Sequence, residues 1–373
     1  MRIGYAVGYW KQGPPPGTLK AIRTAERLGY ESVWTAEAYG SDAFTPLAWW
    51  GSRTKRVKLG TGIAQLSART PTAAAMAALT LDHLSGGRVI LGVGASGPQV
   101  VEGWYGQPYP KPLARTREYI DIVRQVLARE EPVTSTGEHY PLPYPGGTGL
   151  GKPLKATVHP LRRDLPIYLA AEGPKNVALS AEIADGWLPF LFSPRSNAAA
   201  VASLEEGFAM RSPERSPREK FEVAVQLAVI PHPDVEKAAD MVRPIIALYV
   251  GGMGAKGANY HRDVIDRLGY SAECDVIQEL YLAGKKEQAI AAVPTKLVEE
   301  IALIGPPEKI RDELQAWEES VVTTLLVQGP AFALRTIWDV VAGGSLTRAK
   351  LGALAFAYAT RSRGSSSSRP PLR

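Results

Sequence analysis

The chain has a single cysteine, Cys274, among 373 residues, which excludes an intramolecular disulfide and a cysteine metal pair and suits a reducing compartment, the cytoplasm. Its five histidines, His83, His139, His159, His232 and His261, lie far apart, without a two-histidine metal spacing. No G-x-S-x-G elbow and no cysteine–histidine pair offers a nucleophile. No apolar stretch approaches the ~18 uninterrupted residues of a membrane span. The start, Met1 to Tyr5, reads as a strand rather than as the basic region of a signal peptide, so neither export nor a membrane partner is expected. The net charge of +6 is scattered, part of it in 361–373, and no basic stripe interleaves with aromatics, which argues against a nucleic-acid partner.

What the chain has in quantity is glycine and apolar side chains. At 45% hydrophobic and 21% charged it can bury a large core, as one large α/β domain or two smaller ones. The stretch 86–97, Gly-Gly-Arg-Val-Ile-Leu-Gly-Val-Gly-Ala-Ser-Gly, carries a buried parallel strand over 89–93. The small residues behind that strand leave backbone N–H groups free to face an anion. By letter, Gly92, Gly94 and Gly97 match the dinucleotide fingerprint. Pro98 and the aromatic pair Trp104 and Tyr105 follow, however, and the acidic residue at the right distance, Asp121, sits in a helical pattern with Tyr119, Ile120, Val123 and Val126. The dinucleotide reading is therefore disfavoured.

Residues 3–7, 32–36, 57–62 and 89–93 read as strands alternating with helices, the first helix marked by Leu19, Ile22, Ala25 and Leu28. A helix over 113–129 leads into a Pro- and Gly-rich insertion, 130–163. Strands resume at 166–171, 186–190 and 221–230. Residues 231–320 read as a helical excursion broken at 251–257, and 321–327 make an eighth strand. This cadence, without a mid-chain break in composition, favours one (β/α)8 TIM-like barrel over 1–345, with the insertion and the excursion, over two doubly wound domains. The tail 361–373, rich in Ser, Arg and Pro, reads as disordered.

In a barrel the residues behind each strand meet on one face. That gathers Tyr9 and Trp10, Glu37 and Tyr39, Gln65 and Arg69, Ser96 and Gly97, residues 172–176, Phe190, Phe192 and His232. Glycine-rich turns, aromatics and few acid–base groups suit a flat, phosphorylated cofactor that brings its own chemistry. Plainer roles stay open. Glu37 can cap a helix, 94–97 can be a tight turn, and 173–176 a loop and helix start. Arg69 can pair with a surface carboxylate, and Trp10, Trp104 and Tyr105 can be core. The insertion at 130–163 and the glycine-rich segment 251–257 are expected to shape the substrate pocket, and His83 reads as structural.

Several segments together resemble a known family: 33–42 (Val-Trp-Thr-Ala-Glu-Ala-Tyr-Gly-Ser-Asp), Leu-Gly-Thr-Gly at 59–62 and Ala-Arg-Thr-Pro at 68–71. Leu-Asp-His-Leu-Ser-Gly-Gly-Arg at 81–88, Ala-Glu-Gly-Pro at 171–174 and Ala-Asp-Gly-Trp at 184–187 complete the set. They are similar to the bacterial luciferase-like superfamily, and more narrowly to its coenzyme F420-dependent, deazaflavin-using oxidoreductases. The resemblance implies a TIM-like barrel, usually a homodimer, with a non-proline cis peptide at Gly62-Ile63 behind the cofactor ring. It places the phosphate side of the cofactor at Ala95, Ser96 and Gly97 and at Gly173, Pro174 and Lys175, with Gly62, Ile63, Gln65 and Glu172 as further cofactor-binding residues.

One departure stands out. Relatives often carry a proton-donating histidine after the acidic residue, as Asp-His, or as Glu-His among FMN monooxygenases, where this chain has Glu37-Ala38. The resemblance thus implies hydride transfer between coenzyme F420 and a small organic substrate, with Glu37 and Tyr39 catalytic and Trp10 and Tyr105 lining the substrate. A reduced-FMN monooxygenase is the alternative.

Overall fold

Parallel strands of apolar sequence need both faces covered, and this chain covers them by closing its sheet inside a ring of helices. The structure, a computed structural model, describes residues 1–8, 10, 12–254 and 257–343. Its strands in chain order are β1 (Arg2–Ala6), β2 (Ser32–Thr35), β3 (Lys58–Thr61), β4 (Ala64–Gln65) and β5 (Val89–Gly94), followed by β6 (Ile167–Ala170), β7 (Gly186–Leu188), β8 (Glu222–Pro231), β9 (Ala302–Gly305) and β10 (Thr324–Gln328). β1, β2, β3, β5, β6, β7, β8 and β10 pair in parallel in that order. β10 returns to β1 with Arg2 opposite Thr324 and Tyr5 opposite Val327, which closes the barrel. The (β/α)8 fold read from the sequence is the fold observed.

Two apolar layers hold it. Inside the barrel, Trp34 tilts against Tyr168 with ring centroids 6.0 Å apart and packs with Ala6, Ile90, Leu188 and Leu326. Between strands and helices, Ile22, Leu47, Leu59, Leu91 and Ile167 are fully buried. Each such side chain contributes roughly 1.5–3 kcal/mol by leaving water.

The glycine-rich strand β5 owes its composition to packing. Thr61 Oγ1 donates to the Gly92 carbonyl at 2.7 Å and accepts the Gly92 N–H at 2.9 Å. A Cβ on Gly92 would lie 1.9 Å from the Thr61 carbonyl oxygen, so only glycine fits. Ahead of it, the Leu-Ser-Gly-Gly-Arg segment turns the chain through two left-handed glycines, Gly86 (φ 69°) and Gly87 (φ 85°). Arg88 then donates to the carbonyls of Gly51, Val57 and Ser85 at 2.8 Å each. That motif clamps the helix ends under β3 and β5, and it stands on the side of the barrel away from the strand C-termini.

Two strands lie outside the expected set. β4 pairs with the end of β5 just after the Gly62-Ile63 cis peptide. β9 falls inside the stretch read as helical and pairs with the far end of β8, Ala228 opposite Ala302 and Pro231 opposite Gly305. Four apolar residues between a helix and Pro306 are too few for periodicity to separate strand from helix. The rest of the excursion is helical as expected: Val235–Gly251, Tyr260–Arg267, Ser271–Leu282, Lys286–Ala291 and Thr295–Ile301 build a second core around Ile246, Val250, Ile265, Cys274 and Ile277. The insertion 130–163 is tied to the helix Pro71–Ser85, where Arg162 Nε donates to Asp82 at 3.0 Å and His83 Nε2 meets the His159 carbonyl at 2.7 Å. No helix among the described residues is long and apolar enough to cross a membrane. The expected tail 361–373 lies outside the described residues, as does Tyr9.

Gly92→Ala should fail to give soluble folded protein, whereas Gly103→Ala, where a Cβ meets nothing within 4 Å, should melt within a few degrees of the wild type; circular dichroism of both variants checks this. Burial pushes the Cys274 thiol up to about 12, so at pH 8 it is protonated as well as sealed. Ellman's reagent should therefore label no thiol in the native protein and one in urea, and rapid native labelling would contradict the packing of the second core.

Candidate active site

All barrel strands run parallel, so the loops behind their C-termini share one face, and a cavity of about 940 Å³ opens there. Glu37, Gly62, Ile63, Gln65 and Ala95 to Gly97 line it together with Glu172 to Lys175. Every residue expected on the cofactor side thus reaches one cavity.

Glu37 is held more tightly than an acid–base group needs to be. It is 5% exposed, and Arg69 makes a bidentate pair with it, Nη1 to Oε2 and Nη2 to Oε1 at 2.8 Å each. The Gln65 N–H donates to Oε2 at 3.0 Å and the Ala43 N–H to Oε1 at 3.4 Å, while the Gln65 side-chain amide donates to the Glu37 carbonyl at 3.1 Å. Arg69 is itself half-buried over the Phe44 ring, 4.9 Å from its centroid. Burial alone would lower the Arg69 pKa, but the Glu37 hydrogen bonds and charge outweigh it and hold the guanidinium above its ordinary value. The partner of Arg69 is therefore this buried carboxylate, not a surface one, and both oxygens of Glu37 are already engaged.

The three aromatic assignments fare differently. Tyr39 is 53% exposed, its hydroxyl 3.7 Å from Met253 Sδ and its ring edge-on to the exposed Trp104. Tyr105 donates to the Ala38 carbonyl at 3.1 Å, and Trp10 lies with its carbonyl near Gly40. None of Trp10, Tyr39 or Tyr105 lines the cavity. The expected substrate wall is corrected accordingly: Tyr105 braces the β2 loop through the Ala38 carbonyl, and Tyr39 lies at the rim against Met253 and Trp104. The insertion 130–163 likewise contributes no lining residue, because it packs on the flank of the barrel, whereas Met253 and Gly254 from the glycine-rich segment do line the cavity. Phe190 faces it too, but Phe192 packs in the core against Trp187 and Trp317. His232 instead turns to Asp234, whose backbone N–H it meets at 2.9 Å.

The opposite wall comes from the excursion, through Met241, Val242, Ile245 and Tyr249 of the helix Val235–Gly251, with Ile230 from the end of β8. Asn259 caps the next helix by accepting the N–H groups of His261 and Arg262 at 3.1 Å, and its amide donates to the carbonyls of Tyr249 and Val250. This places His261 in the first helical turn, lining the cavity, with Nδ1 2.7 Å from Glu172 Oε1. Sequence reasoning passed over His261. An asparagine ahead of a helical pattern was the one signal that could have located it.

The residues present fit a planar, phosphorylated ligand. Gln65 Oε1 is buried without a hydrogen-bond partner beside the Gly62-Ile63 bulge, an acceptor awaiting an N–H. At the other end, Gly173 has open space where a Cβ would point, ahead of the ten-residue helix Pro174–Ile183 with Lys175 in its first turn. Ser96 adopts left-handed backbone (φ 59°), with its carbonyl accepting from the Tyr109 hydroxyl at 2.9 Å. A helix N-terminus, a cation and a glycine that admits close approach suit a phosphate.

Fold and cavity define a parallel-barrel enzyme whose loops build one deep site at the strand ends. The chain belongs to the luciferase-like monooxygenase family, whose model matches residues 5–324, and it is an oxidoreductase of that family. It is 55% identical, over 88% of its length and 94% of the relative's, to a Mycobacterium tuberculosis protein whose name describes a coenzyme F420-dependent oxidoreductase. The structure of a coenzyme F420-dependent tetrahydromethanopterin reductase from Methanopyrus kandleri superposes with a TM-score of 0.74 at 24% identity, over 92% of this chain and 99% of that one. An F420-dependent secondary alcohol dehydrogenase, in complex with an F420–acetone adduct, gives 0.72 at 19% identity over 92% and 99%. Both are likenesses of fold.

Arg69→Met should lower stability by about 3 kcal/mol or more in urea unfolding, because it leaves a buried carboxylate unpaired. The double variant Glu37→Leu with Arg69→Met should recover part of that loss, a non-additivity that a merely exposed ion pair would not produce.

Proposed function

We propose that this protein is a coenzyme F420-dependent oxidoreductase that moves a hydride between the deazaflavin and a small organic substrate. The observation that carries the reading is the cavity itself: an unmatched amide acceptor, Gln65 Oε1, at one end and an anion-suited rim of Ser96, Gly97, Gly173 and Lys175 at the other. Gly62, Ile63 and Gln65 would lie at the ring, Ala95, Ser96, Gly97, Gly173, Pro174 and Lys175 toward the phosphate, and Glu172, the partner of His261, would be a further cofactor-side residue. When bound, the deazaflavin supplies a hydride carrier that reacts poorly with oxygen. The 55% identical relative with that cofactor in its name supports F420 over FMN.

The chain's own residues then have separable tasks. Glu37, with both oxygens engaged, fixes Gln65 and Arg69 in place and keeps a negative charge near the ring rather than passing a proton. Tyr39 closes the rim against Met253. The apolar side chains of the helix Val235–Gly251 exclude water from the reacting carbon.

Titration of the purified protein with F420, followed by the cofactor's fluorescence, should show saturable binding and no oxygen consumption with the reduced cofactor. Lys175→Ala should weaken that binding roughly 5–30-fold, the effect of about 1–2 kcal/mol from one charge-assisted contact. Oxygen uptake driven by reduced FMN, with no binding of F420, would replace this reading with the monooxygenase.

A further inference from the structure

Position 38, where a proton donor is expected, holds alanine, and Glu37 has no unengaged oxygen. The cavity nevertheless contains a second acid–base pair on its far side. His261 Nδ1 lies 2.7 Å from Glu172 Oε1, with both side chains mostly buried. The ring is fixed edge-on between two aromatics, with centroids 4.8 Å from Tyr249 at 90° and 5.6 Å from Phe190 at 80°. Asn259 fixes its backbone. Among the described residues no partner engages Nε2, and His261 lines the cavity. A carboxylate on Nδ1 sets the tautomer and leaves Nε2 as the working nitrogen.

The surroundings define what can meet that nitrogen. Met241, Val242, Ile245, Tyr249 and Met253 form an apolar wall next to it. The charged groups facing the cavity are all assigned. Glu37 is paired with Arg69, Glu172 is hydrogen-bonded to His261, and Lys175 stands at the head of the helix Pro174–Ile183. Tyr109 and Tyr260, hydrogen-bonded to each other, stand near Glu172, and burial keeps Tyr109 well above its ordinary value, hence neutral. Among the described residues, no cation faces the apolar wall to receive a phosphate or carboxylate.

We propose that His261, oriented by Glu172, exchanges the proton at the oxygen of a neutral, largely apolar alcohol or ketone lodged against the helix Val235–Gly251. This rests on the deazaflavin reading above. In the oxidising direction the hydroxyl proton passes to Nε2, the O–H electron pair becomes the π bond of the carbonyl, and the carbon gives up its hydride to the oxidised deazaflavin. Solvent then takes the proton from the imidazole. Reduction runs the same transfers in reverse, so a neutral substrate leaves as a neutral product.

The test uses 2-decanol, 2-decanone and decanoate as probes on the full-length protein. In cofactor-free protein, 2-decanone should bind and shift the His261 Nε2 signal in ¹⁵N spectra, while decanoate should bind about 10-fold or more weakly. Ile245→Asp should abolish binding of the ketone. Equal binding of decanoate, or ketone binding that leaves the His261 signal unmoved, overturns the proposal whatever the cofactor. In F420-loaded enzyme, His261→Ala should lower kcat for 2-decanol about 100-fold or more, with KM, melting temperature and F420 affinity little changed, and added imidazole should restore part of the rate. Retention of kcat within about 3-fold overturns the proton role. Failure of the wild type to bind F420 counts against the cofactor reading alone, and the cofactor-free arm then decides on His261.

Discussion

One buried carboxylate organises the polar side of the cavity. Glu37 sits behind β2, yet its oxygens collect Arg69 from the β4 loop, the Gln65 N–H from β4 and the Ala43 N–H ahead of the helix Phe44–Gly51. Burying an ion is costly unless partners replace its water, so loops that converge on Glu37 cannot drift apart without stranding a charge. The Gly62-Ile63 bulge lies within this knot, since the Glu37 N–H donates to the Ile63 carbonyl at 3.2 Å and Gln226 donates to the Gly62 carbonyl at 3.1 Å. The position of Gly62, Ile63 and Gln65 is thereby an outcome of one electrostatic demand.

The opposite wall has a different origin. It is apolar and belongs to the excursion, which carries its own core and is joined to the barrel through β9 on the overhanging end of β8. The site is therefore a seam between a polar half fixed by the barrel loops and a hydrophobic half fixed by a separate cluster of helices. Substitutions in that second cluster can alter which substrate fits without touching the knot at Glu37. On the function proposed above, this division would put cofactor recognition on the barrel and substrate selection on the excursion.

The barrel was legible because its signals are local: apolar runs of strand length, each followed by a helical period, with glycines at the turns. That the residues expected on the cofactor side line one cavity was legible for a related reason, since they are the first residues behind strands, and closure of the barrel alone brings them together. The aromatics were misplaced because Trp10, Tyr39 and Tyr105 lie on long loops, where sequence spacing does not set direction. Gly92 was read only as part of a buried strand, whereas it must be glycine because the Thr61 backbone lies too close for any side chain there. A through-space contact between adjacent strands leaves no trace in either strand's own pattern. β9 was lost to the helical context around it, and His261 to its distance from Glu172, 89 residues earlier in the chain.

The two acidic groups in the cavity show how similar side chains acquire different work. Glu37 meets a guanidinium, which has two donors, holds its charge at every accessible pH and leaves the carboxylate nothing to exchange. Glu172 meets an imidazole, which can take or lose a proton while the hydrogen bond on Nδ1 persists. The backbone reinforces the contrast: amide donors satisfy the Glu37 carboxylate, whereas Arg267 engages only the carbonyl of Glu172, at 3.2 Å. A chain with alanine at position 38 has thus not lost acid–base capacity at this face. It keeps an ion pair on the barrel side and a carboxylate–imidazole pair where barrel and excursion meet, which under the proposal above would exchange the proton beside the bound substrate.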